Sequence, residues 1–370
     1  MMRVVVAGQM PPPYGGQNLN IKKLYEMLSD EDELIVEHWE FSFTKDVSSF
    51  RKLSIGKIVA LFGVIFRLFT LRRRGRIDLI IYPSGGPHTV PIIRDIMILP
   101  FATLLSQKVW VHFHAGAIAE RLPLLPAMLR VPLKAVHKRC YGGIVLTDFG
   151  RADSEDLGLN KTEVIPIGVV DRRQKAQRKK TSDALTLLYV GHLREDKGTD
   201  VLIKAFGKIN AQYTNTELHL VGECSSATLD RMLHPMIDNT GCSNSIKVMG
   251  LLQGDALKRE FEEADLFVFP SEAPSESYGM VLVEAMMHAL PVVAADWRAA
   301  REVLKDDTGE YCYQIGDNHQ MALEEILARV INQSSKWSEW GCLNRDKYEE
   351  YYSMDVYHEK MINLIFRKSK

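Results

Sequence analysis

Short, wholly apolar runs alternate along this chain with longer segments whose apolar residues recur every three or four positions. Runs at 3–7, 37–41, 77–82, 108–112, 143–147 and 163–165 read as strands, and the stretches between them carry helical spacing, as Ile21, Leu24, Tyr25 and Leu28 do. The alternation restarts at 185–190 and continues through 217–221, 246–249, 265–269 and 291–294, each followed by helical material. Runs that are apolar at every position predict strands covered on both faces, as parallel sheets are. The pattern therefore predicts an α/β chain of two doubly wound, Rossmann-like parallel-sheet domains. Residues 172–184 are polar, strongly basic and without apolar period, which makes them the expected linker. Domains are thus expected at 1–171 and 185–353, with helix only after Ile315.

Length and charge sharpen that division. At 370 residues the chain exceeds what one core usually supports. The net charge of -1 hides an asymmetry: residues 1–180 hold 27 Lys and Arg against 17 Asp and Glu, and the remainder 19 against 30. Five scattered cysteines, odd in number and without metal-ligand spacing, point to reduced thiols in a cytosol. The first eight residues form a short strand and not a secretory signal, and the longest apolar run, 58–71, contains Arg67 and is too short to span a bilayer.

The chemistry concentrates at 267–295, FVFPSEAPSESYGMVLVEAMMHALPVVAA. Pro270 ends an apolar strand, and 271–277 forms a polar loop at its carboxyl end, where open α/β sheets bind ligands. Gly279 opens a helix, expected over 279–289, whose free amides and positive dipole end favour a phosphate. Tyr278 and Met280 flank that glycine. Glu276 precedes the helix and Glu284 lies inside it, about 7 Å further along the axis at about 1.5 Å per residue. Carboxylates only accept hydrogen bonds, so the two suit hydroxyls on either side of a diphosphate. The plainer alternative makes Glu276 a loop charge and Glu284 a solvated helix position, against which stand Val281, Leu282, Ala285 and Met286 around Glu284. A second strand, loop and helix start, YVGHLREDKG, puts Lys197 where an ammonium meets a diphosphate.

At Glu276, Gly279, Glu284-Ala285 and Pro291-Val292-Val293 the chain resembles the family-4 retaining glycosyltransferases of GT-B architecture, the glycosyl transferases group 1. The resemblance covers most of the chain and is strongest over 187–296. It implies two domains facing a central cleft, an acceptor site on the first, a nucleotide-sugar site on the second, and a last helix, 354–370, that returns to the first domain. It implies that Glu276 contacts the donor sugar and Glu284 the ribose. Family members place an arginine where His192 stands, so the resemblance leaves Arg194 or a protonated His192 to join Lys197 on the phosphates. It implies further that the loop Tyr14-Gly15-Gly16-Gln17 lies near the reacting centre and that His114, at the end of a strand, lies near the donor sugar. Ile167 replaces the family's usual asparagine in the turn at 164–168. Glu223, with Gly222, and Leu252, with Gly250, are placed to hold the base.

The expected function is a retaining transfer from a UDP- or GDP-linked sugar to a glycan or lipid-linked acceptor in cell-surface polysaccharide or glycolipid assembly. No cofactor and no nucleic acid are expected. No metal is expected either, since the Asp-x-Asp pair Asp30 and Asp32 sits in an acidic turn and not at a strand end. Residues 51–76, apolar in the centre and basic at the ends, are expected either to lie on an anionic membrane surface or to pack inside. The basic first half favours the former, and with it a cytoplasmic location, peripheral on the inner face of the cytoplasmic membrane. A nucleotide-sugar epimerase and a noncatalytic relative remain the alternatives.

Overall fold

A computed structural model describes residues 1–12, 15–41, 55–173, 183–224, 226–306 and 311–367. Twelve strands are described: β1 Met2–Gly8, β2 Leu34–Glu40, β3 Ile77–Pro83, β4 Ser106–His112, β5 Gly142–Val145, β6 Thr162–Val164, β7 Leu185–Val190, β8 Thr216–Val221, β9 Ile246–Gly250, β10 Leu266–Phe269, β11 Val292–Ala295 and β12 Cys312–Tyr313. They form two six-stranded sheets, ordered β2-β1-β3-β4-β5-β6 and β12-β11-β10-β7-β8-β9, and every pairing is parallel.

Strand composition follows position. Met2–Gly8, Leu185–Val190, Leu266–Phe269 and Val292–Ala295 are buried almost throughout and sit inside the sheets, where helices cover both faces. The edge strands β2, β6 and β9 carry Glu37, Glu163 and Lys247 and are only partly buried. Against the expected 37–41, β2 begins at Leu34 and ends at Glu40, and Phe41 instead packs its ring on Trp39 at 5.1 Å. Strand β12, two residues long, was not expected; Cys312 and Tyr313 pair with Ala294 and Ala295.

The chain divides into two units, Met1–Ile167 with His358–Lys370, and Gly168–Tyr357. The first boundary precedes the expected linker because Val169 is tied to the second unit: its N–H donates to the carbonyl of Tyr352 at 2.9 Å, and its carbonyl accepts from the Tyr348 hydroxyl at 2.8 Å. Asp171 accepts from Arg345 at 2.5 Å. Residues 174–182 of the expected linker lie outside the described residues. The helix Met354–Phe366 begins in the second unit, and its later turns belong to the first, where His358 meets Glu31 at 2.7 Å and Arg367 meets Glu163 at 2.5 Å.

Both sheet orders contain a switch point, where neighbouring strands send their connections to opposite sides. In the second sheet it falls between β7 and β10; in the first it falls between β1 and β3. Ligands of doubly wound sheets bind in the crevice outside the carboxyl ends of such strands.

Candidate functional site

The loops after β7 and β10 meet at the second switch point. Gly198, left-handed at φ +70°, lies against the Pro270 carbonyl so closely that a Cβ would stand 2.2 Å from that oxygen. The Glu272 N–H donates to the Asp196 carbonyl at 3.0 Å. This contact brings Lys197 Nζ to 2.5 Å from Glu276 Oε2, with side chains 20% and 18% exposed. The loops after β8 and β9 continue the edge: Gly191 N–H donates to Val221, Leu193 N–H to Glu223, and Gly222 N–H to Gly250. At Gly222, φ +141°, a Cβ would lie 1.9 Å from the Gly191 carbonyl oxygen, so only glycine permits the approach.

The expected phosphate helix is Met280–Met287, with Gly279 as its cap at φ +71°. Gly279 is left-handed and its carbonyl accepts from Leu282 N–H at 2.8 Å. Of the first amides, those of Met280 and Val281 remain without intrahelical partners by geometry, and the positive dipole end of the helix adjoins the loop that carries Glu276. Glu284 is half-buried in the second turn, between the buried Val283 and Ala285.

Several of the expected residues are shielded or already engaged by neighbours. Tyr278 is 3% exposed, with its ring edge-on to Tyr352 at 6.1 Å, so it offers a ligand backbone and no side chain. The guanidinium of Arg194 is forked onto Asp196, at 2.8 and 2.6 Å, which already occupies one cationic clamp. His192 reaches solvent, yet partial desolvation, with the cations of Arg194 and Lys197, lowers its pKa below the ordinary value, so it does not supply a standing positive charge at neutral pH. The Gly222 N–H donates to the Gly250 carbonyl at 2.8 Å, which engages that donor. Glu223 is exposed, while Leu252 and Met280 are half-buried.

Trp297 and Arg298, which follow β11, are additional members of this edge. The indole Nε1 donates to the Ala273 carbonyl at 3.0 Å, and Arg298 Nε donates to the Glu276 carbonyl at 2.9 Å. Arg298 adopts φ 53°, an uncommon conformation for a side-chain-bearing residue. The only sequence signal for them is their place immediately after a buried strand.

In the first unit, Gly15 caps the helix Gly16–Ser29, and Tyr14 lies outside the described residues. A Cβ at Gly15 or Gly16 would meet no atom within 4 Å, and Gly15 has φ −152°, which any residue adopts. At the carboxyl end of β4, the rings of His112 and His114 lie 4.1 Å apart. Burial holds His114 near a pKa of about 4, and burial, with His114 alongside, lowers His112 well below the ordinary value. Both ring nitrogens of His112 and the Ser84 hydroxyl are buried without a hydrogen-bond partner among the described residues. Buried polar atoms seldom remain so, which makes this edge a place for water or a polar ligand. Among the described residues no cluster of three metal-ligating side chains occurs, and all five cysteines are free.

Residues 170–342 match the family described as Glycosyl transferases group 1. A phosphatidyl-myo-inositol mannosyltransferase of Mycobacterium leprae is 30% identical over 204 residues, 54% of this chain and 52% of that protein. The chain spans about half the length of the curated relatives it matches. Whole-chain likeness appears in solved structures. A sucrose-phosphate synthase from Thermosynechococcus elongatus superposes at TM-score 0.77 with 15% identity over 98% of both chains. HepE of Anabaena in complex with UDP superposes at TM-score 0.71 with 18% identity over 99% of both. At such identities the likeness establishes the fold, two Rossmann-like units of the GT-B type. The segment 170–342, which holds Lys197, Glu276, the Gly279 cap and Glu284, is thus the part of the chain that matches the glycosyl transferases group 1 family.

Proposed function

We propose that the protein transfers a sugar, with retention of anomeric configuration, from a nucleotide-diphosphate sugar to a glycan or lipid-linked acceptor. The observation that carries the reading is the meeting of Lys197 and Glu276 at 2.5 Å at the switch point of the second sheet, beside the Gly279-capped helix. An ammonium and a helix amino end suit the diphosphate, and a carboxylate suits sugar hydroxyls. Glu284 then takes the ribose hydroxyls. Transfer leaves a nucleoside diphosphate with increased charge, and preorganised cationic and amide groups stabilise it where it forms. In this reading Lys197 releases Glu276 to the sugar as it takes the phosphates. Arg194 joins only by leaving Asp196. His114, neutral at physiological pH, serves as a hydrogen-bonding group and not as a cation. No cofactor and no metal enter the proposed scheme. Support for the donor class comes from the family match, and HepE of Anabaena was solved with UDP.

Calorimetry with UDP and GDP, followed by incubation with sugar nucleotides of the preferred base, tests the proposal. Binding of one diphosphate, together with glycan product whose anomeric configuration matches the donor, is the expected result. Binding of neither nucleotide by the folded chain refutes the donor site, and conversion of donor to its epimer without acceptor refutes transfer.

A further inference from the structure

We propose that one face of the first unit docks on an anionic lipid bilayer, and that three helices build it together: Ile55–Arg73, Thr89–Leu105 and Ala127–His137. Such docking requires neither donor nor acceptor.

The topology puts these helices on one side. Each connects parallel strands that step in the same direction across the sheet, from β2 to β3, β3 to β4 and β4 to β5. Right-handed crossovers stepping one way lie on one face. The first helix packs on the second and the second on the third. Phe69 and Phe101 join the first two, with ring centroids 6.1 Å apart.

The inward sides of all three are ordinary core: Leu61, Val64 and Leu68 in the first, Ile98 and Leu99 in the second, Leu133 and Val136 in the third. Their outward sides are apolar as well. The first presents Phe62, Phe66 and Phe69 at helical spacing, and the second presents Met97 and Leu104. The third, with the turn before it, presents Leu124, Met128 and Val131. Phe66, Leu104 and Met128 are 68%, 74% and 79% exposed. Three adjacent stripes of this kind form an apolar patch of the sort that marks an interaction site.

Charge selects the occupant. Residues 55–76 contain six Lys or Arg and no Asp or Glu, and residues 118–139 contain five against one. Arg72 and Arg73 end the first helix, Arg74 and Arg76 follow it, and Lys138 and Arg139 follow the third; all six are exposed. Apolar stripes rimmed by cations match a bilayer interface with anionic head groups. A second copy fits poorly, because pairing this face with itself would bring two net positive surfaces together. None of the described helices is long and apolar enough to cross a membrane, so the contact is with the surface.

Sedimentation of the full chain with vesicles tests this. Vesicles of equal parts phosphatidylglycerol and phosphatidylcholine are expected to carry the protein down at low salt, and pure phosphatidylcholine or high salt is expected to release most of it. Phe66→Ser and Met128→Ser, each at an exposed site and checked for folding by circular dichroism, should each weaken binding about tenfold. Met232→Ser, an exposed apolar side chain of the second unit, should leave it unchanged. Absence of binding to the anionic vesicles overturns the proposal. So does retention by the folded Phe66→Ser or Met128→Ser variant, or a solution dimer that Phe66→Ser dissolves.

Discussion

Lys197 and Glu276 lie 79 positions apart in sequence and 2.5 Å apart in space, on loops from the two strands that flank the switch point. Each is mostly shielded from solvent, so each side chain is the main neutralising partner of the other. The pair is a resting arrangement in which the cation for a diphosphate and the carboxylate for a sugar hold each other in place. A donor that enters between them must replace one strong interaction with two.

Removing the ammonium should therefore cost both binding and geometry. Lys197→Ala is expected to weaken nucleoside diphosphate binding by about 2 kcal/mol, the usual range for hydrogen bonds to charged groups. A double-mutant cycle with Glu276→Gln should give a coupling of about 1 kcal/mol or more in thermal or denaturant stability. Calorimetry supplies the first number and unfolding curves the second; additive stability effects would show that the pair does not act as a unit.

Gly15 and Gly16 separate ligand demands from folding demands. Neither has a neighbour within 4 Å of a would-be Cβ, so the chain itself does not require glycine there. Gly16→Ala, in the first turn of a helix, should raise stability by about 0.5 kcal/mol through a less flexible unfolded state. If a donor approaches that backbone, the same variant should lose transfer activity at least tenfold. Melting temperature and initial rate, measured on one preparation, decide it: unchanged rate in the stabilised variant removes this loop from the reacting centre.

Glu284→Ala is expected to weaken nucleotide binding by about 1 to 3 kcal/mol, through loss of contacts to the ribose hydroxyls. The comparison of UDP with the 2′-deoxy nucleotide makes the role specific. The deoxy ligand should show a smaller difference between parent and variant, and equal differences would move Glu284 out of the ribose site.

Most of the architecture was legible in the sequence because parallel strands buried on both faces leave unbroken apolar runs, as VVVA near the start and FVF at 267–269 do. Strand β12 was not legible, since Cys312 and Tyr313 are too few to show a period. The site residues that sequence identified sit next to glycines and strand ends, which mark backbone needs. Arg298 escaped because its contact with the Glu276 carbonyl depends on a left-handed backbone and a neighbouring strand. The engagement of Arg194 by Asp196 escaped for a similar reason: residues two apart meet only when the turn between them brings them together. The segment at 55–76 reads equally as core or surface helix, and Leu68 and Phe66 show that it is buried on one side and open on the other.

His288 provides a test of pH dependence away from the candidate chemistry. Its ring stacks on Phe261 at 5.2 Å with planes 3° apart, and its Nδ1 is buried without a partner among the described residues. Burial, aided by the Arg173 charge, lowers its pKa from 6.5 to about 4. Below pH 6.5 the unfolded chain takes up a proton here that the folded chain refuses, so stability falls as pH drops towards 4 and is fully present above 6.5. Over the whole window one such group accounts for at most about 3 kcal/mol. His288→Phe keeps a flat ring against Phe261 and removes the titration. The melting temperature of the variant relative to the parent should therefore improve steadily from pH 7 to pH 4.5. A difference that stays constant over that range would mean that His288 is charged without cost in the folded protein.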